Sequence, residues 1–270
     1  MNAVLADFHT WFESYAQSFS GKDNALNDAV KLKYDHTLRV IDEIKLLCTA
    51  ISADKTLTFR AIIAALFHDV ARFEQFRTYR TFSDKKSENH AEMGVAIIDR
   101  FNLFDALDAD GRLCITQAIR YHNAALVPDH LSSDRAFLCR MLRDADKLDI
   151  YRIALDYYVN PDPQRKETIQ VGIPDGIAVT RDVCDHILTG TVVPYEKIRT
   201  VTDFKMIQLG WVFDLNFRHS LSCVKERGYI EAICGHLPQS DEVTMVVESV
   251  CRYLDDEIEK EGEVMQWMTK

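Results

Sequence analysis

The stretch that decides the fold is Ile62-Ile63-Ala64-Ala65-Leu66-Phe67-His68-Asp69, in which an apolar segment ends on an imidazole and a carboxylate. Six consecutive apolar residues within a longer periodic segment predict a buried helix. Burying a histidine and an aspartate at the end of such a helix is costly unless both groups are bound by a partner. The pair therefore predicts a binding site at the end of a core helix.

Four more candidate ligands flank this pair: His36 before it, and His90, His122 and Asp146 after it. Each continues an apolar stripe at helical spacing, so its side chain is expected to face the core. A lone histidine on such a face is usually a structural core residue. Buried imidazoles and carboxylates in this number need a shared partner, and their nitrogen and oxygen donors suit one or two divalent metal ions.

Composition argues against several other classes of protein. The chain has 270 residues, 47% of them hydrophobic, which suffices for one large domain or two small ones. No apolar run reaches the roughly 20 residues that a membrane span needs, and the first residues lack the pattern of a secretory signal. Seven cysteines without a Cys-x-x-Cys pair predict reduced thiols and a cytoplasmic location. The formal charge of −10 argues against polymeric nucleic acid or an anionic membrane as the main partner.

Sparse glycine and periodic apolar segments predict a mostly helical chain. The second predicted helix covers residues 25–51, with a bend or break near residues 33–35. Thr58 is the predicted N-cap of the helix that ends on the His-Asp pair, and Ser87 is the predicted N-cap of the helix that carries His90. Residues 72–89 are interpreted as a long connection between these two helices.

The predicted division of the chain follows Pro161-Asp162-Pro163, which ends the helical core. Residues 1–160 are predicted to form this core together with an N-terminal helix. Residues 161–270 are predicted to form a mostly helical extension that packs on it. Within the extension, residues 168–180 are expected to form either a small β-hairpin or an irregular loop.

The ordered set of candidate ligands resembles the HD-domain superfamily of metal-dependent hydrolases. The resemblance covers about residues 26–155, and the ordered set is a much stronger signal than the His-Asp doublet alone. It implies an HD-domain helical bundle, so the predicted fold is all-α: this bundle followed by the helical C-terminal extension that the later apolar segments predict. The residues that carry it are His36 in Tyr-Asp-His-Thr, His68-Asp69 in Leu-Phe-His-Asp-Val-Ala-Arg, His90 in Asn-His-Ala-Glu-Met-Gly, His122 in Tyr-His-Asn, and Asp146 in Arg-Asp-Ala-Asp-Lys-Leu-Asp.

The resemblance also implies roles for these residues. Members with two intermediate histidines, here His90 and His122, commonly hold two metals bridged by the aspartate of the doublet. Asp144 is a less favoured substitute for Asp146, because two residues along a helix it faces elsewhere. The implied cofactor is one or two divalent ions of iron, manganese, nickel, cobalt, zinc or magnesium. The minimal metal site of the family corresponds here to His36, His68, Asp69 and Asp146.

Such a site can generate a metal-bound hydroxide and neutralise charge on a phosphoryl group. Arg72, one helical turn after His68, and Lys147, beside Asp146, are candidates for catalysis and for binding the substrate phosphate. Each has an alternative interpretation as an ordinary salt-bridge partner.

Further candidates surround the predicted site. Arg77 and Arg80 belong to a net-basic segment, residues 72–89, in which aromatic residues are interleaved. This segment is predicted either to stack a nucleotide or to cover the core with its rings. Asn123 and Asp149 are expected to orient ligands, or alternatively to pair locally.

The leading prediction of function is metal-dependent hydrolysis of a phosphomonoester, a nucleotide or a phosphodiester. The same six-ligand order occurs in mixed-valent di-iron oxygenases of the superfamily, and spacing does not separate the two. A non-catalytic nucleotide-binding signalling module is the third alternative. The expected partner is a small phosphorylated substrate, with no membrane partner, and an oligomer is compatible with the sequence.

Overall fold

The computed structural model describes residues 1–260, apart from the side chain of Gln164, and these residues contain no β-strand. The predicted all-α fold is therefore confirmed. The chain divides into two compact units, residues 1–149 and the part that begins at Ile150. The predicted division after residue 160, at the end of a long helix, stays a prediction.

The first unit contains the helices that position the candidate site. Their bounds are α1 (Asn2–Gln17), α2 (Asn24–Ala50), α3 (Lys55–Phe67), α4 (Arg72–Tyr79), α5 (His90–Arg100), α6 (Ala109–Tyr121) and the start of α7 (Ser133–Val159), with short 3-10 helices at Asp84–Lys86 and Leu103–Ala106.

Helix α3 lies at the centre of this unit. Its residues 63–67 have no exposed surface, because α2, α6 and α1 pack around it. A helix that is apolar on all sides is stable only when it is surrounded in this way. The His68-Asp69 pair follows directly, so the arrangement of the core fixes where the two side chains lie.

Two helices begin at N-cap residues other than the predicted ones. Asp54 caps α3 by accepting a hydrogen bond from the Leu57 amide at 2.7 Å, in place of Thr58, which lies one turn inside the helix. Asn89 caps α5 by accepting from the amides of Ala91 and Glu92, in place of Ser87. The carboxylate oxygen of aspartate and the side-chain amide oxygen of asparagine are among the best N-cap acceptors.

Two further expectations about helices were wrong. Helix α2 runs without a break through residues 33–35. The polar stretch there does not interrupt the helix, because it faces other polar groups; the ammonium of Lys33 pairs with Asp69. The supposed long connection after Asp69 contains α4, which packs on α2.

The second unit is also helical where it is described. Helix α13 packs against α9 and α11, and α10 packs against α9. Besides the end of α7, its helices are α8 (Lys166–Gln170), α9 (Arg181–Leu188), α10 (Val201–Gly210), α11 (Arg218–Glu226), α12 (Tyr229–Cys234) and α13 (Asp241–Ile258), with 3-10 helices at Pro163–Arg165, Tyr195–Lys197 and Trp211–Asp214.

The β-hairpin considered for residues 168–180 is not formed. Residues up to Gln170 belong to α8, and the following residues have no regular structure. Their backbone groups bond to the start of α10 instead: the Val201 amide donates to the carbonyl of Pro174, and Asp203 accepts from the amide of Thr180. Because these groups are already satisfied, no strand ladder is needed.

No described helix combines the length and the apolar character that a bilayer span requires.

Candidate metal centre

The six predicted ligands converge inside the first unit. Since they lie on separate helices or at helix ends, the packing of the whole unit is needed to bring them together. His36 lies on α2, His68 and Asp69 follow α3, His90 is the first residue of α5, His122 follows α6, and Asp146 lies on α7.

One group of donors, called half-site A, consists of His36, His68, Asp146 and the Oδ2 atom of Asp69. The Nε2 atoms of His36 and His68 are 3.2 Å apart. Oδ1 of Asp146 lies 3.1 Å from Nε2 of His36 and 3.7 Å from Nε2 of His68. Oδ2 of Asp69 lies 3.5 Å and 3.7 Å from the same two nitrogens. The four side chains therefore direct nitrogen and oxygen atoms at one small volume.

A second group, called half-site B, consists of His90, His122 and the Oδ1 atom of Asp69. The Nε2 atoms of the two histidines are 3.0 Å apart, and Oδ1 of Asp69 is 3.4 Å from Nε2 of His90. In each half-site, two histidines and Asp69 offer ligand atoms that all lie within 4.8 Å of one another, close enough to hold a metal ion. Asp69 belongs to both groups.

The outer nitrogen of each histidine has a hydrogen-bond acceptor. Nδ1 of His68 donates to the carbonyl of Ala65 and Nδ1 of His122 donates to the carbonyl of Ile119, both at 2.7 Å. A carbonyl oxygen only accepts, so each Nδ1 carries the proton and each Nε2 of a neutral ring presents its lone pair to the centre. This is the tautomer that a metal-binding histidine needs.

The environment of half-site B fits a cation. Burial, together with the nearby His90 and His68, lowers the pKa of His122 to about 3, so its ring is neutral at pH 7. Burial also lowers the pKa of His90, assisted by the charge of Arg72. Nε2 of His90 lies 3.0 Å from Nε2 of His122 and 3.3 Å from Nη2 of Arg72. The two neutral rings therefore direct their Nε2 atoms at one small volume, where a divalent cation would bind both.

Half-site A has a different electrostatic balance. Burial and Lys33 oppose protonation of His36, but hydrogen bonds with Asp146 and Asp149 outweigh them and raise its pKa. A divalent cation would replace that proton and satisfy both carboxylates of the half-site. Two imidazoles with two carboxylate oxygens form a donor set typical of zinc, iron, manganese and related ions.

Asp69 is buried and ionised. Burial raises the pKa of its carboxyl, but the charges of Lys33, His68 and Arg72 bring it well below its usual value. Nζ of Lys33 lies 2.7 Å from Oδ2, and Nε of Arg72 lies 3.2 Å from Oδ1. One cationic side chain therefore contacts each oxygen of the shared carboxylate.

The family model described as HD domain matches residues 34–151. Residues 34–151 form an HD domain. All six candidate ligands fall within this range, and HD domains form a superfamily of metal-dependent phosphohydrolases. Searches of curated proteins and of solved structures found no match.

Two polar residues expected beside the ligands of the HD domain do lie there. Oδ2 of Asp149 is 2.7 Å from Nδ1 of His36, and Asp149 is itself paired with Arg39. The amide of Asn123 donates to Oδ2 of Asp84 at 3.1 Å. Nδ2 of Asn123 also lies 3.4 Å from Nδ1 of His90, so Asn123 and Asp149 each lie beside one ligand histidine.

Of the arginines expected to bind substrate, only Arg72 lies beside the six ligands. The guanidinium of Arg72 lies at the centre, but it also donates to Oε1 of Gln75 and to the carbonyl of Phe82, both at 2.7 Å. Arg77 stacks over the ring of Phe19, and Arg80 pairs with Asp23 at 2.5 Å. The structure therefore does not bring Arg77 and Arg80 to the six ligands. Their side chains extend toward the chain before and at the start of α2.

Lys147 follows Asp146 on α7 and is half-buried. Its assignment to substrate binding stays a prediction.

Two residues of the HD domain centre were missed in the sequence. Lys33 precedes His36 by three residues, and this spacing on a helix places both on one face. Asp84 accepts a hydrogen bond from Nδ1 of His90 at 2.7 Å. It lies in the segment interpreted as a connection, where periodicity gives no information about the direction of a side chain.

Proposed function

We propose that the HD domain binds two divalent metal ions and hydrolyses a small phosphate ester: a phosphomonoester, a nucleotide or a phosphodiester. The observation that carries this proposal is the sharing of Asp69. Its two oxygens face two separate pairs of buried histidines, and an ionised carboxylate in that position is suited to bridging two cations.

Each half-site has the donors that an ion would need. His36, His68, Asp146 and Oδ2 of Asp69 would hold one ion, and His90, His122 and Oδ1 of Asp69 would hold the other. When bound, such ions lower the pKa of a coordinated water and neutralise charge on the phosphoryl oxygens. In that case no side chain has to act as the base.

Lys33 is the better candidate for contacting the substrate phosphate. Its ammonium lies 5.2 Å from the centre of the Phe82 ring and is 14% exposed, so it borders both the buried carboxylate and solvent. An ammonium is a compact charge with three donors, of which Asp69 takes one. Binding of cations at Asp69 would weaken this ion pair and release Lys33 for a phosphoryl oxygen.

Arg72 supports the site in another way. Its side chain is 13% exposed, and its donors reach Asp69, Gln75, Phe82, Asp84 and Nε2 of His90. A guanidinium with so many protein acceptors would have to give up hydrogen bonds to hold a phosphate. We therefore propose that Arg72 chiefly orders the residues around half-site B, with Lys33 as the main phosphate contact.

The proposal is tested with full-length protein purified without chelators. Bound metals are measured by mass spectrometry, and phosphate release is screened over nucleotides, sugar phosphates and phosphodiesters. We expect up to two ions per chain and release of phosphate from at least one class. The matched variants are His68→Ala, which should abolish release, and His186→Ala, a histidine outside the centre whose ring contacts Thr191, which should not.

Three results would contradict the proposal. The first is a folded protein that takes up no divalent ion at micromolar concentration. The second is an iron-loaded sample that consumes oxygen with a substrate while releasing no phosphate, which would identify an oxygenase. The third is nucleotide binding without turnover in metal-loaded protein, which would identify a signalling module.

A further inference from the structure

We propose that Gln75 is a positioning residue for half-site B: it fixes the turn that carries Asp84, and Asp84 in turn orients His90. This inference rests on the proposed metal centre and adds to it a residue that contacts none of the six ligands. According to this inference, the buried amide of Gln75 affects how tightly half-site B binds its ion and does not affect half-site A.

Gln75 lies on α4 and has no exposed surface. Its Nε2 atom carries two hydrogens and has three acceptors within hydrogen-bond distance: Oδ1 of Asp84 at 2.9 Å, Oγ of Ser87 at 2.8 Å and the carbonyl of Glu88 at 3.1 Å. Its Oε1 atom accepts from Arg72 at 2.7 Å. A buried amide with both ends satisfied is costly to displace, so it is a fixed reference point within the fold.

All three acceptors of the amide belong to one short turn, residues 84–88, which begins with the 3-10 helix at Asp84–Lys86. Such a turn has little rigidity of its own, since it lacks the repeated hydrogen bonds of a longer helix. The contact with Gln75 attaches it at both of its ends to α4. The position of the Asp84 backbone therefore depends on a side chain outside the turn.

The carboxylate of Asp84 connects this turn to half-site B. Its Oδ1 atom accepts from Gln75 and Arg72, while its Oδ2 atom lies 2.7 Å from Nδ1 of His90 and also accepts from Asn123. One oxygen is thus held from α4, and the other fixes the tautomer and ring orientation of His90. Asp84 is 29% exposed, so without its first set of partners it would be free to turn toward water.

Half-site A has no such dependence. The carboxylate that orients His36 is Asp149, on α7, and its partner is Arg39, on α2. Gln75 contacts neither of them among the described residues. Loss of the Gln75 amide should therefore weaken the ion at half-site B and leave the ion at half-site A in place, whereas a general loss of stability would weaken both.

The test uses Gln75→Met, which keeps the length of the side chain and removes its hydrogen bonds. The matched control is Arg39→Met, which removes the partner of Asp149 at half-site A. Metal-free full-length protein is titrated with Mn²⁺ by calorimetry, and electron paramagnetic resonance distinguishes a spin-coupled pair of ions from a single isolated ion.

We expect the unaltered protein to bind two coupled ions. Gln75→Met should bind the first as before and the second about 10- to 100-fold more weakly, so that a single-ion signal persists at intermediate Mn²⁺. Arg39→Met should instead weaken the first ion. If Gln75→Met does not fold, Ser87→Ala decides, since it removes one of the three acceptors and should weaken the second ion by a smaller factor.

The inference is overturned if a folded Gln75→Met binds both ions as the unaltered protein does, or loses both in parallel. For a Gln75→Met that does not fold, an unchanged Ser87→Ala overturns it equally. Failure of the underlying proposal looks different, because the unaltered protein would then bind no Mn²⁺ at all.

Discussion

The two half-sites share one carboxylate and have similar donors, but they are built on different parts of the fold. Half-site A takes His36 and Asp146 from inside the two long helices α2 and α7, and His68 from the residue after α3. Half-site B takes His90 from the first position of α5 and His122 from the residue after α6. The interior of a helix is fixed by hydrogen bonds on both sides, while its ends depend on caps and turns.

The orienting carboxylates follow the same division. Asp149 is buried within α7, and Arg39 donates two hydrogen bonds to it, at 2.5 Å and 3.0 Å. Asp84 lies in a partly exposed turn and depends on Gln75 and Arg72. Half-site A also has two carboxylates where half-site B has only its share of Asp69. If both half-sites bind ions as proposed, we expect the ion at half-site A to be held more tightly than the ion at half-site B.

The largest effect is expected when the shared ligand is removed. Asp69→Ala takes one donor from each half-site and leaves Lys33 and Arg72 without their carboxylate, so both ions should be lost. Phosphate release should fall on the order of 1,000-fold or more, equivalent to about 4 kcal/mol in the barrier. Mass spectrometry of bound metal checks the cause. Asp42→Asn, an exposed aspartate on α2 that pairs with Lys45, is the control and should keep both ions.

The next effect separates the half-sites. His122→Ala removes one of the three donors of half-site B and none of half-site A, so one ion per chain should remain while activity is lost. His36→Ala should reduce binding at half-site A, the site expected to fill first. Metal stoichiometry after dialysis measures both. After dialysis, His36→Ala should therefore retain less metal per chain than His122→Ala. If the two variants retained the same amount of metal, the half-sites would not differ in affinity.

A chelator is expected to remove the two ions in two steps. Because half-site B has fewer donors, limited EDTA should remove its ion first, giving a one-ion form before the metal-free protein. In electron paramagnetic resonance spectra, the signal of the spin-coupled Mn²⁺ pair should disappear while the signal of a single isolated Mn²⁺ ion persists. Simultaneous loss of both ions at every EDTA concentration would indicate that the half-sites are equivalent in affinity.

Much of the centre could be predicted from the sequence. The six ligands interrupt or extend apolar stripes, and the packing of helices converts such positions into one buried cluster. The support around them could not be predicted, because Asp84 and Gln75 meet through tertiary contacts that leave no periodic signal. Ser87, which looked like an N-cap, instead accepts a hydrogen bond from Gln75 and donates one to Ser83.

Lys33 teaches a related point. It stands in a polar stretch that suggested a break in α2, although the polarity reflects contact with Asp69. Arg77 and Arg80 illustrate the opposite case, since their proximity in sequence to Arg72 suggested a common role. Arg72 and Arg77 lie five positions apart on α4 and so face different directions. Arg80 follows the helix as its C-cap with a φ of 57°, so its guanidinium points elsewhere again.

The smallest effect concerns the two cations at Asp69. Lys33→Ala should raise KM for a phosphate ester roughly 10-fold, about 1.4 kcal/mol, with both ions retained. Arg72→Ala should instead weaken the ion at half-site B, since Arg72 holds Asp84 and Gln75. Steady-state kinetics combined with metal titration distinguishes them. A Lys33→Ala protein with unchanged KM would remove Lys33 from substrate binding.

The most direct test of the shared-carboxylate centre is a crystal structure of the Mn²⁺-loaded protein with anomalous scattering measured at the manganese edge. Two anomalous peaks are expected, about 3.5–4 Å apart, one on either side of the Asp69 carboxylate. One peak should contact His36 and His68, and the other His90 and His122. Peaks located elsewhere, or a fully Mn²⁺-saturated crystal with no peak beside Asp69, would contradict the account.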